Sequence, residues 1–237
     1  MTLIDTPIIN GRIRIQPVSF DLYRDIHKAV RVEMFGVVAD AGRMDPSDPN
    51  ARVDVAEKVQ ALVTLLRQHA EHEDGAINSA LEQVDPGLVA RIVADHAVIE
   101  AAMDTLLELS AAMVDASGDT ARTATHELYL ELAAFTSDYL AHQDVEERIV
   151  GPALDRALGF EGMLAVHDRI IGNIPPQELS SSLAVMFPAM NVDDRTELLG
   201  GMKASAPAEV FEGTWSLARS VLPPADTRVL AARLGIA

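Results

Sequence analysis

The residues of this chain best suited to chemistry are four histidines, His27, His69, His96 and His142, spaced far apart along the sequence. Three of them precede a carboxylate. His69 has Glu73 at i+4, His96 has Glu100 at i+4, and His142 has Glu146 at i+4 and Glu147 at i+5. A four-residue step keeps two side chains on one face of a helix, one turn apart, so each pair can grip one centre. Imidazole with carboxylate is a donor set that suits iron, manganese or zinc in a helical core. The chain has no cysteine. Disulfides, thiolate zinc sites, Cys-ligated iron–sulfur clusters and cysteine nucleophiles are therefore excluded.

Four long helices are needed to bring these residues together, and the apolar periodicity supplies them. The spacing predicts helices over about 19–39, 51–84, 88–116 and 121–150, with one of the four histidines on each. The stretch from Gly42 to Asn50 breaks the first, Asp85-Pro86-Gly87 the second and Ser117-Gly118-Asp119 the third; Asp119 or Thr120 can cap the fourth. Gly151-Pro152 should bend or stop that fourth helix. Short connections make neighbours antiparallel, so the expected fold is all-α, an up-down-up-down four-helix bundle. Measured along the helices, the four histidines lie within about two turns of a common level. Residues 171–237 are cut by Gly and Pro into short amphipathic helices. The expected organisation is thus a bundle over 1–170 and a C-terminal extension over 171–237 packed on it.

The quoted motifs, Asp25-Ile-His27-Lys-Ala-Val-Arg31, His69-Ala-Glu-His-Glu73, His96-Ala-Val-Ile-Glu100 and His142-Gln-Asp-Val-Glu-Glu147, resemble the hemerythrin and hemerythrin-like HHE cation-binding domains. That family places His on helix one, His-x3-Glu on helix two, His-x3-His on helix three and His-x4-Asp or His-x4-Glu on helix four. The resemblance covers roughly residues 15–165. It implies a non-haem di-iron centre, with manganese or zinc as the next candidates. His27 and His69 would bind one iron, and His96, Glu100 and His142 the other, with Glu73 and Glu147 bridging. Helix geometry alone prefers Glu146, whereas the family's spacing prefers Glu147. The departure is Glu100, where the oxygen carriers of the family have histidine. A carboxylate there would favour the ferric state and lean away from simple carriage.

The implied ligands are O2, peroxide or nitric oxide. An oxygenase, an oxidase or a peroxide-decomposing enzyme, an iron-sequestering or sensing module, and a metal-free scaffold stand as rivals. Tyr23 and Tyr139 fall about one turn from His27 and His142, as candidate partners of a bound oxygen species or as aromatic packing. His126 lies about 24 Å along the helix from His142 and cannot join the centre. His72 reads as a rim residue, His167 has no assigned place, and Met34, Met103 and Met113 read as core filler. The net charge of −17 argues against nucleic acid, since phosphate binding needs clustered Lys and Arg. No apolar run reaches membrane-spanning length, and the N-terminus lacks a basic n-region followed by an apolar stretch. The expectation is a cytoplasmic protein whose extension could meet a protein partner.

Overall fold

The structure, a computed structural model, describes residues 8–9 and 12–236. It is almost entirely helical, apart from one antiparallel pairing of β1 (Ile8–Ile9) with β2 (Arg12–Ile13). The helices are α1 (Arg24–Arg43), α2 (Pro49–His72), α3 (Asn78–Leu81), α4 (Pro86–Asp115), α5 (Asp119–Val145), α6 (Gly151–Asn173), α7 (Pro176–Ala189), α8 (Val192–Ser205), α9 (Ala208–Val221) and α10 (Pro224–Leu234). None of the described helices is long and apolar enough to cross a membrane.

The starts and stops follow local chemistry. Asp48 and Asp85 cap α2 and α4 by accepting from the backbone N–H of Asn50 and Leu88, each followed by a proline whose missing N–H costs nothing in the first turn. Asp85-Pro86-Gly87 thus opens α4; the preceding helix has already ended at Leu81. Position Ncap of α5 is Gly118 at φ 57°, with Asp119 inside the first turn rather than capping it.

Two interruptions matter most. The helix from Pro49 to Leu81 contains a π-helical turn at Glu73–Ile77, and the helix from Asp119 onward contains another at Glu146–Val150. In each, the carbonyl of the first residue accepts from the N–H five residues on: Glu73 from Asn78, Glu146 from Gly151. The second turn explains why Gly151-Pro152 does not stop the helix. The register has already shifted there, and Pro152 enters as the second residue of α6. The chain continues helically to Asn173, with a kink at Gly159 (φ 62°, ψ −177°).

The chain forms two compact units. One comprises the residues up to Tyr23 with Glu33–Gly172; the other comprises Arg24–Val32 with the residues from Asn173 on. The first turns of α1 thus group with the C-terminal helices, where the sequence suggested a division near residue 170. Within that second unit Arg24 pairs with Glu197 at 3.0 Å and with Asp194 at 3.4 Å, and Lys28 pairs with Asp194. In the first unit α4 packs against both α2 and α5. Its core includes Met34, Leu66, Met103, Leu106, Met113, Leu128 and Leu132, so the three methionines fill space as expected. A second cluster of Tyr23, Ile77, Leu81, Ile92, Val150, Leu154, Met163 and Val166 includes the last residue of each π turn. The second unit has its own core of Leu183, Phe187, Leu199, Ala218, Leu222 and Leu230. Each such side chain contributes about 1.5–3 kcal/mol through burial.

Candidate metal centre

Both π turns begin at a carboxylate that follows a histidine by four residues, and both modules point into the first unit's core. On α2, His69 Nε2 lies 3.2 Å from Glu73 Oε1; at the end of α5, His142 Nε2 lies 3.1 Å from Glu146 Oε1. Glu73 and Glu146 are 4% and 1% exposed, where an unpaired carboxylate would be strongly disfavoured. π turns recur at functional sites because they swing side chains off the regular α register.

From α4, His96 closes the group. Its Nε2 is 3.2 Å from His142 Nε2, 3.6 Å from Glu73 Oε2 and 3.9 Å from Glu146 Oε1. Glu73, His96, His142 and Glu146 each offer one ligand atom, all within 4.8 Å of one another; His69, Glu73 and Glu146 do the same in a second set. Two imidazole nitrogens facing each other across two buried carboxylates is a poor arrangement for protons alone and a good one for a cation. Burial works against a charged His96, yet hydrogen bonding to Glu146 and Glu73 and the charges of Glu73 and Asp74 outweigh it and push its pKa up to about 10. The pocket is thus built to attract positive charge, and its donors fit iron, manganese or zinc.

Of the residues singled out in the sequence, the structure brings His69, Glu73, His96 and His142 together in this unit. His27 lies on α1 and is fully buried. Glu100 is elsewhere: half exposed, it accepts from Arg67 Nε at 2.8 Å, beside an Arg67–Asp104 pair at 2.6 Å. The inward stripe of α4 steps from His96 through Ile99 to Met103, so the i+4 position falls on the flank. Glu147 is partly exposed, and its neighbour Glu146 stands beside His142 instead. The structure thus sets the i+4 carboxylate beside His142.

Tyr23 and Tyr139 are 2% and 3% exposed. Tyr139 meets the His142 ring edge-on at 5.8 Å. Burial, with the nearby Glu73 and Glu146 charges, raises both phenols well above their ordinary range, so both keep their protons at neutral pH. His126 is exposed and stacks on Tyr129 at 6.3 Å, and His72 is half-buried. His167 packs its ring edge against Phe20 at 5.1 Å. Asp74 was missed in the sequence. It accepts from His96 Nδ1 at 2.9 Å, and its signal, an acid next to Glu73, means nothing until the π turn is known.

No curated protein and no solved structure matches the chain. The family model described as hemerythrin HHE cation-binding domain matches residues 18–170, the span that holds every residue of this cluster. The chain therefore belongs to the hemerythrin HHE cation-binding domain family.

Proposed function

We propose that the chain is a non-haem di-iron protein that binds or reacts with O2, peroxide or nitric oxide at a His/carboxylate centre. The observation that carries the reading is the facing pair of imidazoles, His96 and His142, enclosed by the buried carboxylates Glu73 and Glu146. The proposed ligands are His27, His69, His96 and His142 with Glu73 and Glu146 shared between two metal positions. His27 enters as the helix-one histidine of the family pattern, and its complete burial suits that role. The proposed scaffold is the up-down-up-down bundle formed by α1, the helix through α2 and α3, α4, and the helix through α5 and α6.

When bound, a pair of irons supplies reversible ligand binding or electron transfer toward small oxygen or nitrogen species. The chain's own residues do the rest. Glu73 and Glu146 offset the positive charge, Ile77, Leu81 and Ile92 keep the surroundings dry, and the buried Tyr23 and Tyr139 phenols keep their protons. Glu100, held by Arg67 on the flank, stands outside this set, so a ferric bias drawn from its carboxylate forms no part of the reading.

Metal analysis after expression in iron-rich medium, followed by anaerobic reduction and re-exposure to oxygen, tests the proposal. About two irons per chain and a near-ultraviolet charge-transfer band are expected. Stoichiometric zinc alone, or an empty protein, would overturn it. The same spectra sort the alternatives: a lasting oxygenated species means carriage, turnover of a substrate means an oxidoreductase, and slow drift to the ferric state means storage or sensing.

A further inference from the structure

One carboxylate touches the cluster without belonging to it. Asp74 follows Glu73 within the π turn, and its Oδ1 lies 2.9 Å from His96 Nδ1. The same oxygen accepts from Asn78 Nδ2 at 2.6 Å. Asn78 is 7% exposed, and its backbone N–H is the one that closes the π turn on the Glu73 carbonyl. The amide and the carboxylate are thus tied to the same turn that presents Glu73. Nδ1 and Nε2 lie on different sides of the imidazole ring, so Asp74 cannot share the centre that Nε2 faces.

We propose that Asp74, braced by Asn78, is a positioning residue for the metal centre: it keeps a proton on His96 Nδ1 and aims Nε2 at Glu73, Glu146 and His142. The proposal rests on the di-iron reading above only for what Nε2 meets. A neutral imidazole carries one N–H, and which nitrogen bears it is set by the partner of the other. A carboxylate on the far nitrogen fixes that choice, stops rotation of the ring and makes the ligating nitrogen more basic. His142 provides the contrast within the same site. Its Nδ1 has no hydrogen-bond partner among the described residues, and the nearest carboxylate oxygen, of Asp95, is 3.9 Å away. The two facing histidines are therefore unequal: His96 is oriented by a partner on α2's continuation, and His142 is not.

Two measurements test this, one without metal. Nitrogen-15 NMR of the imidazoles in metal-free protein should show the His96 Nδ1–H as a hydrogen-bonded, slowly exchanging proton in the wild type and a rapidly exchanging one in Asp74→Ala. Anaerobic titration with ferrous iron should show Asp74→Ala binding about 10–100-fold more weakly. Asp95→Ala removes the same charge from the same rim, at 39% side-chain exposure against 49% for Asp74, and should change binding only about two- to threefold, as expected for an exposed charge acting at a distance. Asp74→Asn keeps an acceptor for Nδ1–H without the charge and should fall between wild type and Asp74→Ala. Equal losses in Asp74→Ala and Asp95→Ala would reduce the effect to charge and overturn the proposal, as would an unchanged exchange rate of the His96 Nδ1–H in Asp74→Ala. A wild-type protein that takes up no iron would instead overturn the di-iron reading, while the NMR comparison would still judge Asp74.

Discussion

Glu146 and Glu147 differ by one position and by almost everything that matters to a metal. Glu146 is buried beside His142, whereas Glu147 is turned partly to water. Glu146→Ala should therefore lower iron content at both proposed positions, and Glu147→Ala should leave it near the wild-type value; iron analysis of the purified variants checks this, and the reverse result would restore the i+5 carboxylate. Glu100 gives a second test at this scale. Its bond to Arg67 is a surface pair, and such pairs contribute about 0.2–1 kcal/mol. Glu100→Gln should accordingly leave iron content unchanged and shift the unfolding free energy by no more than that; loss of iron would put the carboxylate back among the ligands.

Helices carry the next level of organisation, and their irregular points are where substitutions should show opposite signs. Gly159 sits at φ 62° and ψ −177° inside α6, with nothing within 4 Å of an added Cβ. That backbone region is essentially reserved for glycine, so Gly159→Ala should destabilise by about 1–3 kcal/mol through strain alone. Gly36 lies in the interior of α1, likewise with open space around it, at ordinary helical angles. Gly36→Ala should stabilise by about 0.5–1 kcal/mol. Chemical denaturation of the two variants checks both signs. α8 offers a pH test. Its capping box joins Asn191 to Asp194. Burial alone would raise the Asp194 pKa, but the Lys28 hydrogen bond and the charges of Lys28 and Arg24 outweigh it and hold the carboxyl below the usual range. A depressed folded pKa contributes stability above the unfolded value of about 3.9, lost as pH falls through the folded one. Asp194→Asn should lower the Tm at neutral pH and flatten its fall in acid; an acid limb that matches the wild type would remove Asp194 from that role.

The molecule as a whole is divided in a way that cuts across α1. Arg24–Val32 groups with the residues from Asn173 on, and the pairs that Arg24 and Lys28 make with α8 lie within that unit. Truncation after Gly172 would remove Asp194 and Glu197 and leave those first turns of α1 without their partners. Amides 24–32 should then lose hydrogen-exchange protection, while His69, His96 and His142 keep their places on α2, α4 and α5. A truncated chain with 24–32 fully protected would show that the C-terminal helices do not support α1.

Composition and periodicity alone determined the helical class, the four long segments and the one-histidine-per-helix layout, because a 3.6-residue repeat and a turn former are local properties. His69, Glu73, His96 and His142 were legible for the same reason: a His–carboxylate step of one turn is visible in the chain. At Glu100 the i+4 carboxylate lies on the flank beside Arg67, since whether the fourth residue lies in the seam or on the flank depends on how α4 is rotated against α2 and α5, which packing decides. The choice of Glu146, the survival of the helix past Gly151-Pro152 and the reach of Asp74 to His96 all depend on two π turns. A π turn exchanges regular hydrogen bonds for a single shifted one and is stable only where tertiary contacts compensate. No window of sequence contains that balance, so which of these side chains stand together was decided only when α2, α4 and α5 met around the cluster.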